Sequence, residues 1–220
     1  MLSAEEVRQL QASIASVEAV ASQTLRLATA AGQAITFVSV LHHNLDLVAA
    51  AADRVACRPG CAHCCSLRVE VTDPEALQMA ERVRQLPQAE QAALVLRLQR
   101  QARHWRGAET QPAQRLPCAL LVDQHCSIYA QRPSACRKAH SLSAAACETG
   151  AAVIPQSLDR VVRCEALIAG TRQAYQNNNL PAASHELAAA VQAALQDPRA
   201  LENWYQGRPL ALAGEPQQTP

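Results

Sequence analysis

The sequence predicts a mainly α-helical protein, and three observations carry that reading. Hydrophobic residues make up 49% of the 220, but aromatic residues only 3%, so a core must be assembled from Leu, Val and Ala. Such side chains suit closely packed helices better than sheets, which favour β-branched and aromatic residues. Apolar positions also recur at helical spacing over long proline-free stretches. Only CALLVDQHCSIY departs from this, with two short apolar runs about a polar turn at Asp123–His125, and it predicts a small β-hairpin near 118–129. The expected fold class is mainly α, a helical domain with that hairpin attached.

From Ala4 to about Asp53 there is no proline and a single glycine, Gly32. Val7, Leu10, Ile14, Val17, Val20, Leu25 and Leu27, then Phe37, Leu41, Leu45 and Val48, predict two helices or one broken near Gly32. Ser3 and Glu6 have the spacing of a capping box. Residues 1–53 thus form an amino-terminal helical arm, whose apolar stripe is a packing or oligomerisation surface. Pro59–Gly60 forces a turn before a short helix expected near Cys61. Asp73 as N-cap and Pro74 at the first helical position open a further helix, and Pro87 separates Glu75–Leu86 from Gln88–His104. Gly107–Pro117 reads as a polar linker. Arg132–Pro133 opens a short helix bearing Cys136, and Ser157–Tyr175 and Ser184–Leu195 are further helical patterns. The cysteine-rich domain is expected over 54–206, and the Pro-, Gly- and Gln-rich stretch 207–220 as a disordered tail.

The formal charge is +1, from 20 basic and 19 acidic side chains, so no electrostatic footprint for nucleic acid or an anionic membrane is present. MLSAEEVRQL lacks the apolar core of a secretory signal. Apolar runs such as Leu47–Ala52 fall short of the ~20 residues that span a bilayer. A cytoplasmic location is expected, with a protein partner or self-association through the amino-terminal helices. In a reducing compartment, nine cysteines point to metal ligation or redox chemistry before structural disulfides.

The cysteines are not scattered. Cys57, Cys61, Cys64 and Cys65 form C-x3-C-x2-C-C; Cys118 and Cys126 follow, then Cys136 and Cys147, with Cys164 standing apart. Isolated cysteines are often small core residues, and Cys164 is as well explained that way as by function. On a helix, Cys61 would share a face with Cys64 and with Cys65, while Cys64 and Cys65 would diverge by about 100°. One of that pair then ligates while the other packs, or the two serve neighbouring centres. Eight thiolates suffice for two four-sulfur sites with one cysteine left over; a single centre using a subset is the more economical alternative. A four-thiolate zinc site carries a charge of about −2, and burying it calls for positive groups and N–H donors. Arg58, Arg68, Arg132, Arg137 and Lys138 lie nearby in sequence, with Arg132 and Arg137 bracketing Cys136. His63 and His125 could replace a sulfur, whereas His42 and His43 are expected at the surface.

CRPGCAHCC at Cys57–Cys65, Pro117–Cys118, Cys126–Ser127–Ile128–Tyr129 and Arg132–Pro133–Ser134–Ala135–Cys136–Arg137 together resemble the YkgJ-type cysteine-cluster proteins, the CxxCxxCC zinc- or iron-chelating family. The resemblance spans Cys57 to about Cys147, with Ser141 and Cys147 resembling the ending of some members. It implies Cys57, Cys61, Cys64, Cys65, Cys118, Cys126, Cys136 and Cys147 as metal ligands. The chain departs from the family pattern at Ala119–Leu120, where relatives more often carry Pro–Phe, and at His125, where glycine is common. Some members are described as iron–sulfur proteins, and a related cluster occurs in flagellin lysine methylases, although this chain has no glycine-rich cofactor loop. Spacing alone does not separate iron–sulfur from zinc; with the resemblance, an iron–sulfur cluster is the favoured expectation over zinc, in a structural or electron-transfer role. An enzyme using the centre for protein modification or redox chemistry is the alternative, and thiol–disulfide sensing a third reading.

Overall fold

A computed structural model of the chain describes residues 3–51, 55–107 and 115–212. Most of the expected linker at Gly107–Pro117, and residues 213–220 of the expected tail, lie outside the described residues. The fold is mainly helical with short antiparallel strand pairs, and it divides into two compact units, Met1–Cys61 with Pro133–Ala182 and Ala62–Arg132 with Ala183–Pro220.

In the first unit, α1 (Ala4–Ala30) begins on the expected capping box: Glu6 N–H donates to Ser3 Oγ at 3.2 Å, and Ser3 N–H to Glu6 Oε2 at 2.7 Å. It ends before Gly32, whose φ of 67° reverses the chain. A short 3₁₀ turn at Ala34–Thr36 leads into α2 (Phe37–Ala51). Ala34–Ala51 is long and apolar enough by composition to cross a bilayer, unlike the short runs noticed in the sequence. Its buried residues are nevertheless those of a core helix, with Leu41, Leu45 and Val48 packed around Cys164 of α7 (Leu158–Asn177). His42 is buried among them, contrary to the surface position expected, because it lies beside Leu41 on the inward side; His43 is exposed. Tyr175 of α7 closes the far end, edge-on to Phe37 at 6.2 Å and donating to Ala34 O at 3.2 Å.

The long helix α1 rests on α7, and Gly170 is what admits it. A Cβ built there would lie 2.7 Å from Ile14 O and 2.7 Å from Val17 Cβ, too close for any real contact. Gly170→Ala is expected to lower stability by about 1–3 kcal/mol in denaturant unfolding. A change within 0.5 kcal/mol would show that the α1–α7 seam yields freely.

In the second unit, β1 (Glu70–Thr72) leads into α3 (Asp73–Arg84), and α4 (Gln88–Gly107) follows the break at Pro87. The N-cap of α3 is Thr72, in a capping box with Glu75, and not Asp73. Asp73 is fully buried instead, accepting from Ala183 N–H at 2.7 Å, Leu210 N–H at 3.0 Å and His185 Nε2 at 3.2 Å. Ser184–Glu186, expected as the start of a helix, forms strand β4 and pairs antiparallel with β1, Val71 opposite His185. The helix begins one residue later as α8 (Leu187–Gln196), capped by Glu186, whose carboxylate accepts from Ala189 N–H at 2.8 Å. Leu94, Leu98, Ala102 and Trp105 of α4, Leu77, Met79 and Val83 of α3, Leu187 and Val191 of α8, and Trp204 of α9 (Ala200–Tyr205) are buried. Within 207–212, Leu210 is buried and its N–H is held by Asp73.

The expected hairpin is present as β2 (Leu121–Val122) and β3 (His125–Cys126), Leu121 opposite Cys126. Asp123 and Gln124 turn the chain with positive φ of 48° and 62°, the backbone a two-residue hairpin loop demands. The hairpin therefore forms without the glycine common before the second cysteine.

Candidate metal centre

The cysteine region is built from turns. Gly60, at φ 81°, completes a tight turn in which Cys61 N–H donates to Arg58 O at 2.9 Å. The expected helix near Cys61 is only a 3₁₀ turn, His63–Ser66. Its geometry overturns the expected divergence of the adjacent thiols, because the Cys64 thiol is hydrogen-bonded to Cys65. That contact pushes the Cys64 thiol far above its ordinary pKa. Two adjacent thiolates are hard to hold together without a cation between them.

Cys118 is brought to this turn by the backbone. Its N–H donates to Cys65 O at 2.7 Å, and Leu116 N–H donates to Ser66 O at 3.1 Å. The β2–β3 pairing then returns the chain to Cys126, close enough to Cys118 for its charge to raise that thiol. Burial is the larger cause and takes Cys118 up to about 11 from an ordinary 9.0. Burial also raises Cys126, opposed by Ile128 N–H and by the positive charge of Arg132. Arg132 lies over the Tyr129 ring at 4.1 Å, so its charge serves Cys126 of this unit.

The first unit carries Cys57, Cys61, Cys136 and Cys147. Cys136 lies in α5 (Ser134–Lys138), with its N–H bonded to Pro133 O at 2.9 Å. Cys147 lies in α6 (Ala144–Thr149), a helix the sequence pattern did not show, capped by Ser143. Ala56 N–H donates to Ser141 O at 2.8 Å, which ties the approach to Cys57 to the loop between Cys136 and Cys147. His140 stiffens that loop from within. Its Nε2 accepts Ser157 N–H at 2.9 Å, so Nδ1 carries the proton donated to Lys138 O at 2.9 Å. Both ring nitrogens are used, and His140 is a brace and not a ligand. Two of the expected compensating cations are engaged elsewhere: Arg137, buried, pairs with Asp46, and Lys138 pairs with Glu165.

All nine cysteines are free thiols; Cys57 and Cys64 are exposed, Cys164 is buried and the rest are half-buried. Cys164 sits among Leu41, Leu45 and Val48, where burial raises its thiol pKa against Arg160 and Lys138. It is a core residue. His125 is exposed, with Nδ1 held at 2.7 Å from Asp123 O. Among the described residues, no three His, Cys, Asp or Glu side chains already stand together as a coordination sphere.

The Cys57–Cys65 segment, Cys118, the hairpin and the Arg-Pro-Ser-Ala-Cys-Arg helix form one ordered series along the chain. A family model described as CxxCxxCC, a zinc- or iron-chelating domain, matches residues 56–166. The chain belongs to this family. No curated protein and no solved structure matches it. Metal chelation is thus the chemistry of the domain, and its donors fit that chemistry. In the second unit alone, four soft sulfurs stand as two coupled pairs, Cys64 with Cys65 and Cys118 with Cys126.

The raised thiol pKa values give the metal-free protein a pH dependence. Cys118 is about 11 folded against 9.0 ordinarily, so folding favours its protonated form. Its contribution is fully present below pH 9 and is lost as pH rises towards 11, on the order of 2 kcal/mol. Cys64, Cys126 and Cys164 shift in the same direction. Urea unfolding of chelator-treated, reduced protein at pH 8 and pH 10.5 measures this; equal stability at both would contradict it.

Proposed function

We propose that the protein holds an iron–sulfur cluster through its clustered cysteines, in a structural or electron-transfer role. The observation that supports the reading is the Cys118 N–H bond to Cys65 O at 2.7 Å, which ties the backbone at Cys118 to the turn bearing Cys64 and Cys65. Cys64, Cys65, Cys118 and Cys126 are its ligands in the second unit. Cys57, Cys61, Cys136 and Cys147 of the first unit complete eight, enough for two four-sulfur centres or for one that draws on a subset. When bound, the cluster supplies one-electron chemistry, while soft thiolates alone suit iron–sulfur and zinc equally. The protein's own residues supply the thiolates, the turns that aim them and the backbone N–H groups around them.

Anaerobic purification with iron, sulfide and zinc analysis tests the reading. The expected product is brown, carries iron and acid-labile sulfide in equal amounts, and is bleached by dithionite. Stoichiometric zinc without sulfide would replace the cluster by a zinc site. A folded protein free of both would overturn metal holding by these cysteines.

A further inference from the structure

α4 buries a stripe of Leu94, Leu98, Ala102 and Trp105, but one position within it is Gln101, only 3% exposed. Burying a primary amide among apolar side chains is unfavourable unless its hydrogen bonds are made. Here they are made, and they converge on a single backbone site. Gln101 Oε1 accepts Ala119 N–H at 2.6 Å, and Gln101 Nε2 donates to Glu186 Oε1 at 2.9 Å. Glu186 is itself fixed, because its other carboxylate oxygen caps α8 at Ala189 N–H. One turn earlier on α4, Arg97 Nε donates to Ala119 O at 2.8 Å. Both backbone groups of Ala119 are therefore gripped from α4, and Ala119 follows Cys118 directly. Cys118 is held on its own account by its N–H to Cys65 O and by Leu121 N–H to its carbonyl at 2.9 Å.

We infer that Gln101, assisted by Arg97, is a positioning residue that presents the Cys118 sulfur to the metal centre. The clamp fixes the peptides that follow Cys118, and the bond to Cys65 O fixes the one before it, so the sulfur's direction is set before any metal arrives. Groups that orient a ligand without touching the metal commonly alter affinity by about 10–100-fold. Neither residue lies in the cysteine motif, and a glutamine in an apolar stripe has no local role that explains its burial. The inference rests on the metal reading above, and its test separates the two.

Gln101→Met keeps the length of the side chain and removes both hydrogen bonds. Cobalt(II) is titrated anaerobically into metal-free wild type and variant, reading the thiolate-to-cobalt charge-transfer band. In parallel, iodoacetamide labelling of the metal-free proteins is mapped by mass spectrometry. The expected variant keeps its helical circular dichroism, binds cobalt at least about ten-fold more weakly with a weaker band, and is labelled several-fold faster at Cys118 but not at Cys164. Unchanged affinity, band and Cys118 labelling would overturn the inference. If wild type takes up no cobalt, the Cys118 labelling alone decides whether Gln101 positions that thiol, and the metal reading is decided by the iron, sulfide and zinc analysis above. Should Gln101→Met not fold, Arg97→Met carries the same test, since Arg97 is half-buried and that change removes only the bond to Ala119 O.

Discussion

Asp73→Ala is expected to lower the free energy of unfolding by roughly 3–5 kcal/mol, as removing one partner of a buried charged network does. Its carboxylate is fully buried and takes three donors, from Ala183, Leu210 and His185. Alanine would leave two backbone N–H groups and an imidazole without that acceptor, in a place water does not reach. The same carboxylate joins the start of α3 to the strand before α8 and to the chain at Leu210, so its loss loosens three segments together. Asp73→Asn should fall between, because an amide offers one acceptor oxygen and turns an NH₂ towards a group that itself donates. Urea unfolding followed by circular dichroism measures both changes, with exposed Glu202→Gln as a control expected within about 0.5 kcal/mol. A loss under 1 kcal/mol for the alanine variant would show that water or a neighbour replaces the carboxylate.

Asp73 also shows where sequence reading stops. The helix it opens was legible from Asp73–Pro74, from Pro87 and from the apolar spacing of α3 and α4. The role of the carboxylate was not, because its partners lie more than a hundred residues away, at Ala183, His185 and Leu210. The β1–β4 pairing failed for the same reason. Three residues of strand carry no period of their own, and Ser184–Glu186 runs directly into a strongly helical segment. Local signals served well: the Ser3–Glu6 box, the break at Gly32 and the hairpin before Cys126 all depend on neighbours within a few residues. At the cysteines, residue type and order were readable, and the family match over residues 56–166 bears out the resemblance they carry. The relation of Cys64 to Cys65 was misread because a regular α-helix was assumed where the chain makes a 3₁₀ turn. Gln101 and His140 went unnoticed because each acts on distant backbone, a contact that leaves no motif.

Cysteine replacements are expected to split into two classes with opposite signatures, and the contrast is sharper than any single variant. Cys65→Ser and Cys118→Ser each remove a soft sulfur from the paired set and should weaken metal binding by more than about ten-fold, since a hydroxyl is a poor replacement for a thiolate on iron or zinc. Their metal-free forms should unfold close to the wild type, because both residues are only half-buried. Cys164→Ala should do the reverse. Its sulfur fills space among Leu41, Leu45 and Val48, so its loss opens a small cavity and lowers stability by about 1–2 kcal/mol, with metal content unchanged. Metal-to-protein ratios after anaerobic purification, set beside urea unfolding of the chelated proteins, place each variant on both axes. Loss of metal in Cys164→Ala with its stability intact would make the buried thiol a ligand and dissolve the contrast. Full metal retention in both serine variants would remove Cys65 and Cys118 from the centre, leaving the other clustered cysteines to hold it.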